Sequence, residues 1–311
     1  DWASIGGGLS SKYLLSYGDL PRSANDYSPG NLMMPRGAII DGNLNEVQDV
    51  DLGKMDEIRE GIAHSWYKYG AGNDTLHPWE GETVPDFNPG NAKRTGNQFE
   101  QFDESAKYSW VKSPRWKGHA MEVGPLARYV IGYVKGIPEF KDPTDMVLQK
   151  LGGVPVTALF STLGRTAARG LECSWAAHKL KDEFNKLVAN IKAGDTATAN
   201  MANFEPSTWA KSAKGHGFVE APRGALCHWI DIEDKKIKNY QCVVPTTWNA
   251  SPRDPAGKIG AYEAALLDTP MHDPEQPLEI LRTIHSFDPC LACATHVLDM
   301  EGNEVTSVKV R

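Results

Sequence analysis

Two cysteines separated by two residues, Cys290 and Cys293, are the side chains here best suited to chemistry. Such a pair can place two soft thiolates on one metal, close a redox disulfide, or occupy one edge of a cluster. A structural zinc site needs two further Cys or His ligands, and the sequence holds no second Cys-x-x-Cys to supply them. A thioredoxin-like site needs a strand leading into a helix within a βαβ unit, and the residues before Cys290 lack that pattern. Cys173, Cys227 and Cys242 bring the total to five, an odd number in 311 residues that argues against a disulfide framework. Metal or redox chemistry is the better expectation.

The elements that must position this pair can be read from apolar spacing. Pro277–Ser286 is a short helical segment leading into Asp288-Pro289-Cys290. Beyond the pair, Val297–Met300, a Glu301-Gly302-Asn303 turn and the β-branched run Val305–Val310 predict a hairpin. A second hairpin is predicted from Ala225–Ile232 and Ile237–Val244, with the charged stretch Glu233–Lys236 as its turn. A symmetric register about Asp234 and Lys235 sets Arg223 beside Thr246 at the open end and Cys227 opposite Cys242. A Cys227–Cys242 disulfide then becomes a question, although the strict geometry of such bonds weighs against it. Between Pro155 and Ile191, apolar residues recur three or four apart, from Leu159 and Leu163 to Leu187 and Ile191, predicting a long helix ended by Gly194. Cys173 and His178 fall inside it as ordinary helix residues. The first 100 residues are dense in Gly, Pro, Asn and Asp and read as irregular structure with short strands. Within them Met55–Tyr69 has helical spacing at Ile58, Ile62 and Trp66, and Pro78–Pro89 reads as a long extended surface loop.

Composition narrows the function classes. A hydrophobic fraction of 41%, nine Trp and a charged fraction of 23% describe a folded chain with an aromatic-rich core. The net charge of −7, with no arginine-rich stripe, offers no field for phosphate backbones, so no nucleic-acid partner is expected. No run approaches the roughly 20 apolar residues of a membrane-spanning helix. Even Ala120–Val134 is interrupted by Glu122, Pro125 and Arg128, so membrane attachment is expected only through partner subunits. The sequence begins at Asp1 with neither an initiator Met nor a signal-like segment, and reads as a portion of a longer protein.

The stretch Arg282-Thr283-Ile284-His285-Ser286-Phe287-Asp288-Pro289-Cys290-Leu291-Ala292-Cys293-Ala294-Thr295-His296 resembles the C-terminal signature of [NiFe]-hydrogenase large subunits of the uptake type. The resemblance continues through Glu220-Ala221-Pro222-Arg223-Gly224-Ala225-Leu226 and Cys242-Val243-Val244-Pro245-Thr246-Thr247-Trp248-Asn249. It also takes in Trp110–Trp116 and Met121–Arg128, and so covers nearly the whole chain. It implies an α+β fold, predominantly multihelical, in which a long-helix bundle carries small β-hairpin regions. Residues 1–311 are then the C-terminal portion of the large subunit.

In that family two Cys-x-x-Cys pairs hold a Ni-Fe centre whose iron carries CO and cyanide. The resemblance makes Cys290 the terminal ligand and candidate base, and Cys293 the bridging ligand. It places Arg223 over the metals with Asp288 against it, and lets Pro222, Val244, Pro245 and Thr246 cradle the diatomic ligands. It gives His296 and the backbone carbonyl of Cys242 to magnesium or a similar ion. Residues 297–311 match an extension removed by a maturation endopeptidase after nickel is loaded. The implied activity is splitting or forming dihydrogen, with electrons passing to a small subunit carrying Fe-S clusters, at the periplasmic face of the cytoplasmic membrane. The family's first Cys-x-x-Cys, its relay glutamate and another magnesium-binding carboxylate are absent here, so the chain alone holds half a metal site. Cys227 also departs from the small residue usual at that position. Two other readings stand beside this one: a non-enzymatic metal or redox binder using Cys290 and Cys293 alone, and an inactive relative kept for assembly. The retained cysteines speak against the latter.

Overall fold

The computed structural model describes residues 2–54, 56–72, 74–87, 94–95, 98–99, 105–199, 201–290, 294–298 and 304–309. At its centre strand β1 (Leu14–Pro21) pairs antiparallel with β2 (Leu32–Ile39) and parallel with the short β10 (Glu122–Val123). Side chains alternate faces along a strand. Leu14 therefore joins one core while Leu15 and Tyr17 join another on the opposite face. The first core packs against helices α1 (Pro125–Val134), α2 (Pro138–Lys150) and the N-terminal part of α3 (Thr162–Lys192). The second contains Trp116, Trp229 and Trp248, all essentially inaccessible to solvent, which realises the aromatic core expected from composition.

The class is α+β, with six α-helices among the described residues and the long helix where apolar periodicity predicts it. Ser161 caps α3 by accepting from the Gly164 amide at 3.0 Å. At the other end Gly194 takes φ +86°, and its amide and that of Asp195 return to Ile191 and Asn190, so the helix stops at the glycine. The predicted helix begins too early, since residues 156–159 form a 3-10 turn instead. Of the pattern's residues in α3, those of the first half are packed apart from Leu163, whereas Leu180, Phe184, Leu187 and Ile191 are exposed.

Two other expectations are corrected. Residues 56–69 are not helical: Ile58–Gly61 forms β3, which pairs with β5 (Thr75–Leu76) and β9 (Ser113–Trp116). Ile58, Ile62 and Trp66 are buried, but strand pairing overrides the helical spacing, and Gly61 sits where a Cβ would meet the Ser113 hydroxyl at 2.7 Å. The stretch from Pro78 is a surface loop only in its later part, where residues 83–87 are exposed, and 88–89 lie outside the described residues. Pro78 is buried, and Asn239 donates to the carbonyls of Trp79 and Gly81. Two-residue ladders, β4 (Tyr67–Lys68) with β6 (Val84–Pro85) and β7 (Arg94–Thr95) with β8 (Gln98–Phe99), complete this region.

The remaining sheet is β11 (Ala213–Ala221), β12 (Gly224–Glu233) and β13 (Lys236–Val243), followed by α4 (Pro245–Asn249), α5 (Ala261–Leu266) and α6 (Leu278–Ser286). The β12–β13 hairpin and its turn at Asp234 and Lys235 match the sequence reading, but the register slips by one residue at a bulge between Asp231 and Ile232. Cys227 therefore faces Val243 and Cys242 faces His228. Neighbouring positions along a strand point to opposite faces, so Cys227 is buried, Cys242 is exposed, and both are free thiols. The C-terminal hairpin is present as β14 (Ala294–Leu298) with β15 (Glu304–Lys309). Its expected turn at 301–303 lies outside the described residues.

Candidate metal centre

Arg223 occupies the tight turn between β11 and β12, a strand partner that the sequence reading missed. Two glycines seat this turn on the N-terminus of α1. A Cβ on Gly224 would lie 2.7 Å from the Gly124 amide nitrogen, and one on Gly124 would lie 3.1 Å from the Arg223 carbonyl. Both glycines have positive φ, so the backbones approach with no side chain between them.

Asp288 arrives from the other side. Helix α6 ends at Ser286, and the amides of Phe287 and Asp288 return to Ile284 and His285. Asp288 then adopts φ +56°, a left-handed helix stop that Asp tolerates better than most residues, and Pro289 prevents continuation. This turn places the Asp288 carbonyl 2.8 Å from Arg223 Nε and its Oδ1 3.2 Å from Arg223 Nη2. The guanidinium is thus held at two points while both side chains keep about a third of their surface exposed.

Cys290, two residues on, is exposed, and its amide donates to Thr246 Oγ1 at 3.3 Å. Thr246 is buried in the first turn of α4, behind Val244 at the N-cap and the buried Pro245. Asn249 of α4 clamps Val123 through both its amide and its carbonyl, at 3.1 and 3.0 Å, locking α4 to β10. The structure therefore gathers Arg223, Asp288, Cys290 and Thr246, and the segment 288–290 is what joins Arg223 to Thr246. Pro222 takes part through its carbonyl.

That carbonyl accepts from Arg128 at 3.0 Å, part of a network absent from the sequence reading. Arg128, fully buried on α1, also binds the Ala221 carbonyl, Glu220 at 2.6 Å and Glu172 of α3 through two nitrogens. Burial works against the Arg128 charge, but Glu220 and Glu172 outweigh it and raise its pKa. The only sequence signal was its position inside an apolar stretch, where a charge needs partners. Replacing Arg128 with methionine leaves two acidic groups without their partner and is expected to cost about 3–5 kcal/mol. The fall in denaturation midpoint of the complete protein measures this, and an unchanged midpoint would show that the network is dispensable.

Cys242 lies apart from this group, with Glu60 and Lys112 as its charged neighbours. Burial raises its thiol pKa, Glu60 adds to the rise, and Lys112 opposes it. Glu60 is itself buried and pushed to about 7 by desolvation, with Lys112 pulling the other way. Cys227 is more deeply buried, and desolvation carries its thiol well above the ordinary range, which makes it a packing residue. Cys293 lies outside the described residues, and of His296 the structure describes only the backbone, within β14.

Among the described residues, Cys290 is one donor suited to a soft metal. Cys290 offers an accessible thiol two residues beyond the Asp288 that fixes Arg223, and thiolates suit nickel and iron. Among the described residues there is no group of three or more His, Cys, Asp or Glu that could hold a metal ion.

The model of the nickel-dependent hydrogenase family matches residues 1–296. The chain is 62% identical over its full length to the uptake hydrogenase large subunit of Bradyrhizobium diazoefficiens. It is 53% identical to the hydrogenase-1 large chain of Escherichia coli, and it spans about half, 52%, of the length of each. Among solved structures it is similar to the Ni-Fe-Se hydrogenase of D. vulgaris Hildenborough, with a TM-score of 0.70 at 29% identity over 93% of this chain and 53% of that one. The corresponding enzyme of Desulfomicrobium baculatum gives a TM-score of 0.69 at 30% identity, with the same coverage. By the extent of the family match and these identities, the chain belongs to the nickel-dependent hydrogenase family.

Proposed function

We propose that this chain is the C-terminal portion of an uptake-type [NiFe] hydrogenase large subunit, supplying one wall of the site where dihydrogen is split. The observation that carries the reading is the Arg223 guanidinium, fixed by Asp288 two residues before an accessible Cys290. A bound Ni-Fe centre, its iron carrying CO and cyanide, supplies the Lewis acidity and electron storage for the reaction. Cys290 and Cys293 hold it. The Cys290 sulfur accepts a proton as dihydrogen is cleaved, and Arg223, a permanent charge in a fixed position, polarises the reacting molecule. Asp288 sets the plane of that guanidinium. Pro222, Val244, Pro245 and Thr246 would line the pocket for the iron's diatomic ligands. Cys242, through its carbonyl, and His296 bind magnesium, with buried Glu60 adding negative charge near Cys242. Electrons leave to a small subunit with Fe-S clusters, which five cysteines could not hold alongside the catalytic metals. No helix among the described residues is long and apolar enough to cross a membrane; in this reading attachment at the periplasmic membrane face is made through partner subunits.

Residues 297–311 form a removable extension in this reading. Two facts support it: the family match ends at His296, and β15 holds the strand carrying His296 in a ladder that sets His296 opposite Ser307. Removing the extension takes away β15 and the end of β14, freeing the 294–296 segment to close over the metals. One preparation tests both statements. The complete protein, produced with its maturation proteins and partner subunit, is expected to contain nickel and iron, to reduce a dye with dihydrogen, and to end at His296 by intact mass. A preparation without nickel defeats the hydrogenase reading, and a fully active one ending at Arg311 makes the tail a permanent part of the fold.

A further inference from the structure

The segment from Ser286 to Cys290 carries both Asp288 and a proposed metal ligand, yet its own internal bonds amount to one helix stop. Besides Arg223 and Thr246, its bracing comes from α3. Arg165, Arg169 and Glu172 stand four and three residues apart, which puts them on one helix face. Arg165 lies over the Phe287 ring, 3.8 Å from its centroid, and is anchored in turn by Glu122 at 2.7 Å. Glu172 holds Arg128, which holds the Pro222 carbonyl just before Arg223. Between them, Arg169 Nη2 donates to the Ser286 carbonyl at 3.0 Å, while its Nε is buried with no hydrogen-bond partner among the described residues.

That unpartnered nitrogen needs a reason, because a buried donor left unsatisfied costs more than an ordinary hydrogen bond returns. Arg169 is half-buried, burial disfavours its charge, and Asp288 is the main opposing charge that favours it. Asp288 thus touches Arg223 and is also the main charge that favours the Arg169 guanidinium on α3. We propose that Arg169 is a positioning residue for the site: its tether to the Ser286 carbonyl fixes the left-handed turn that aims Asp288 at Arg223 and Cys290 at the metals. One stripe of α3 then governs both walls, through Glu172 and Arg128 on the Arg223 side and through Arg169 on the Asp288 side. The proposal rests on the function argued above.

The test uses the complete, metal-loaded enzyme and reads the segment directly by hydrogen–deuterium exchange as well as by turnover. In Arg169→Met the amides of Phe287, Asp288 and Cys290 are expected to exchange about 10-fold faster, with the rest of α3 and α6 unchanged. Turnover per bound nickel should fall about 10-fold or more at unchanged KM, the scale of a small misplacement of a reacting group. Arg169→Lys, which keeps the charge and a donor, should recover part of both. Should Arg169→Met fail to accumulate, Arg169→Gln takes its place: it remains polar but is two bonds too short to reach Ser286. Wild-type exchange and wild-type turnover in the Met or Gln variant would overturn the proposal. So would faster exchange spread evenly over α3 and α6, which marks a general packing residue. A wild-type enzyme lacking nickel would instead defeat the functional reading, leaving the exchange result to judge the bracing by itself.

Discussion

Exchanging Arg223 for lysine is expected to leave nickel and iron in place and yet reduce hydrogen oxidation at least about 100-fold, the scale of removing one preorganised electrostatic group. The size follows from how Arg223 is held. Its Nε donates to the Asp288 carbonyl at 2.8 Å and its Nη2 to Oδ1 at 3.2 Å, so two donors of one rigid plane engage two acceptors of one residue. A lysine ammonium is a single point on a flexible stem; it can meet one acceptor at a time and leaves the other unpaired. Charge survives, but direction does not. Because the Arg223 backbone is seated by the Gly124–Gly224 contact and by Arg128, the substitution should not move the turn itself. Metal analysis and thermal midpoint should therefore match the wild type. A fully metallated Arg223→Lys enzyme with normal turnover would reduce Arg223 to a structural role, and one that loses its metals would show that the arginine holds the site together.

How much of this site was legible in the sequence depends on which kind of force placed each residue. The long helix and its stop at Gly194 were readable because apolar spacing and left-handed glycine are local signals. So was the β12–β13 turn. The hairpin reading set Arg223 beside Thr246 from a register that turned out one residue off, whereas its meeting with the Asp288–Cys290 segment was implied by the family resemblance alone. A bulge at Asp231 and Ile232 carries no sequence mark, and it alone moved Cys227 away from Cys242. The missing strand β11 was harder still, since its Gly215 and Gly217 dilute the alternation that announces a strand. Residues 56–69 were misread because Ile58, Ile62 and Trp66 are apolar at helical spacing for an unrelated reason: each is buried by different partners around a small sheet. Least legible were Arg128, Arg165 and Arg169. Their roles come from carboxylates and carbonyls tens of residues distant, at spacings no local pattern contains.

Serine at either position of the Cys-x-x-Cys pair is expected to strip nickel from the complete protein, to less than about a tenth of the wild-type content. The two side chains are nearly the same size, so the change is chemical. A thiol ionises within reach of neutral pH and gives a soft, polarisable donor; a hydroxyl does neither, and nickel held by thiolates has little affinity for it. Cys290 is accessible, with its amide already fixed to Thr246, so serine there can adopt the same backbone and still fail as a ligand. The remaining cysteines supply the control. Cys173 is exposed on α3, and Cys242 is proposed to act through its carbonyl, so Cys173→Ser and Cys242→Ser should both retain nickel. Cys227 is a poorer control, because a hydroxyl in its buried position costs stability of its own. Elemental analysis of the four variants, purified with their maturation proteins, decides the matter. Full nickel in Cys290→Ser or Cys293→Ser would remove this pair from the metal site. Nickel lost equally from Cys173→Ser would mean that the assay reports folding rather than ligation. The expected pattern, loss at 290 and 293 with retention at 173 and 242, separates a thiolate bond to nickel from every structural use of cysteine in the chain.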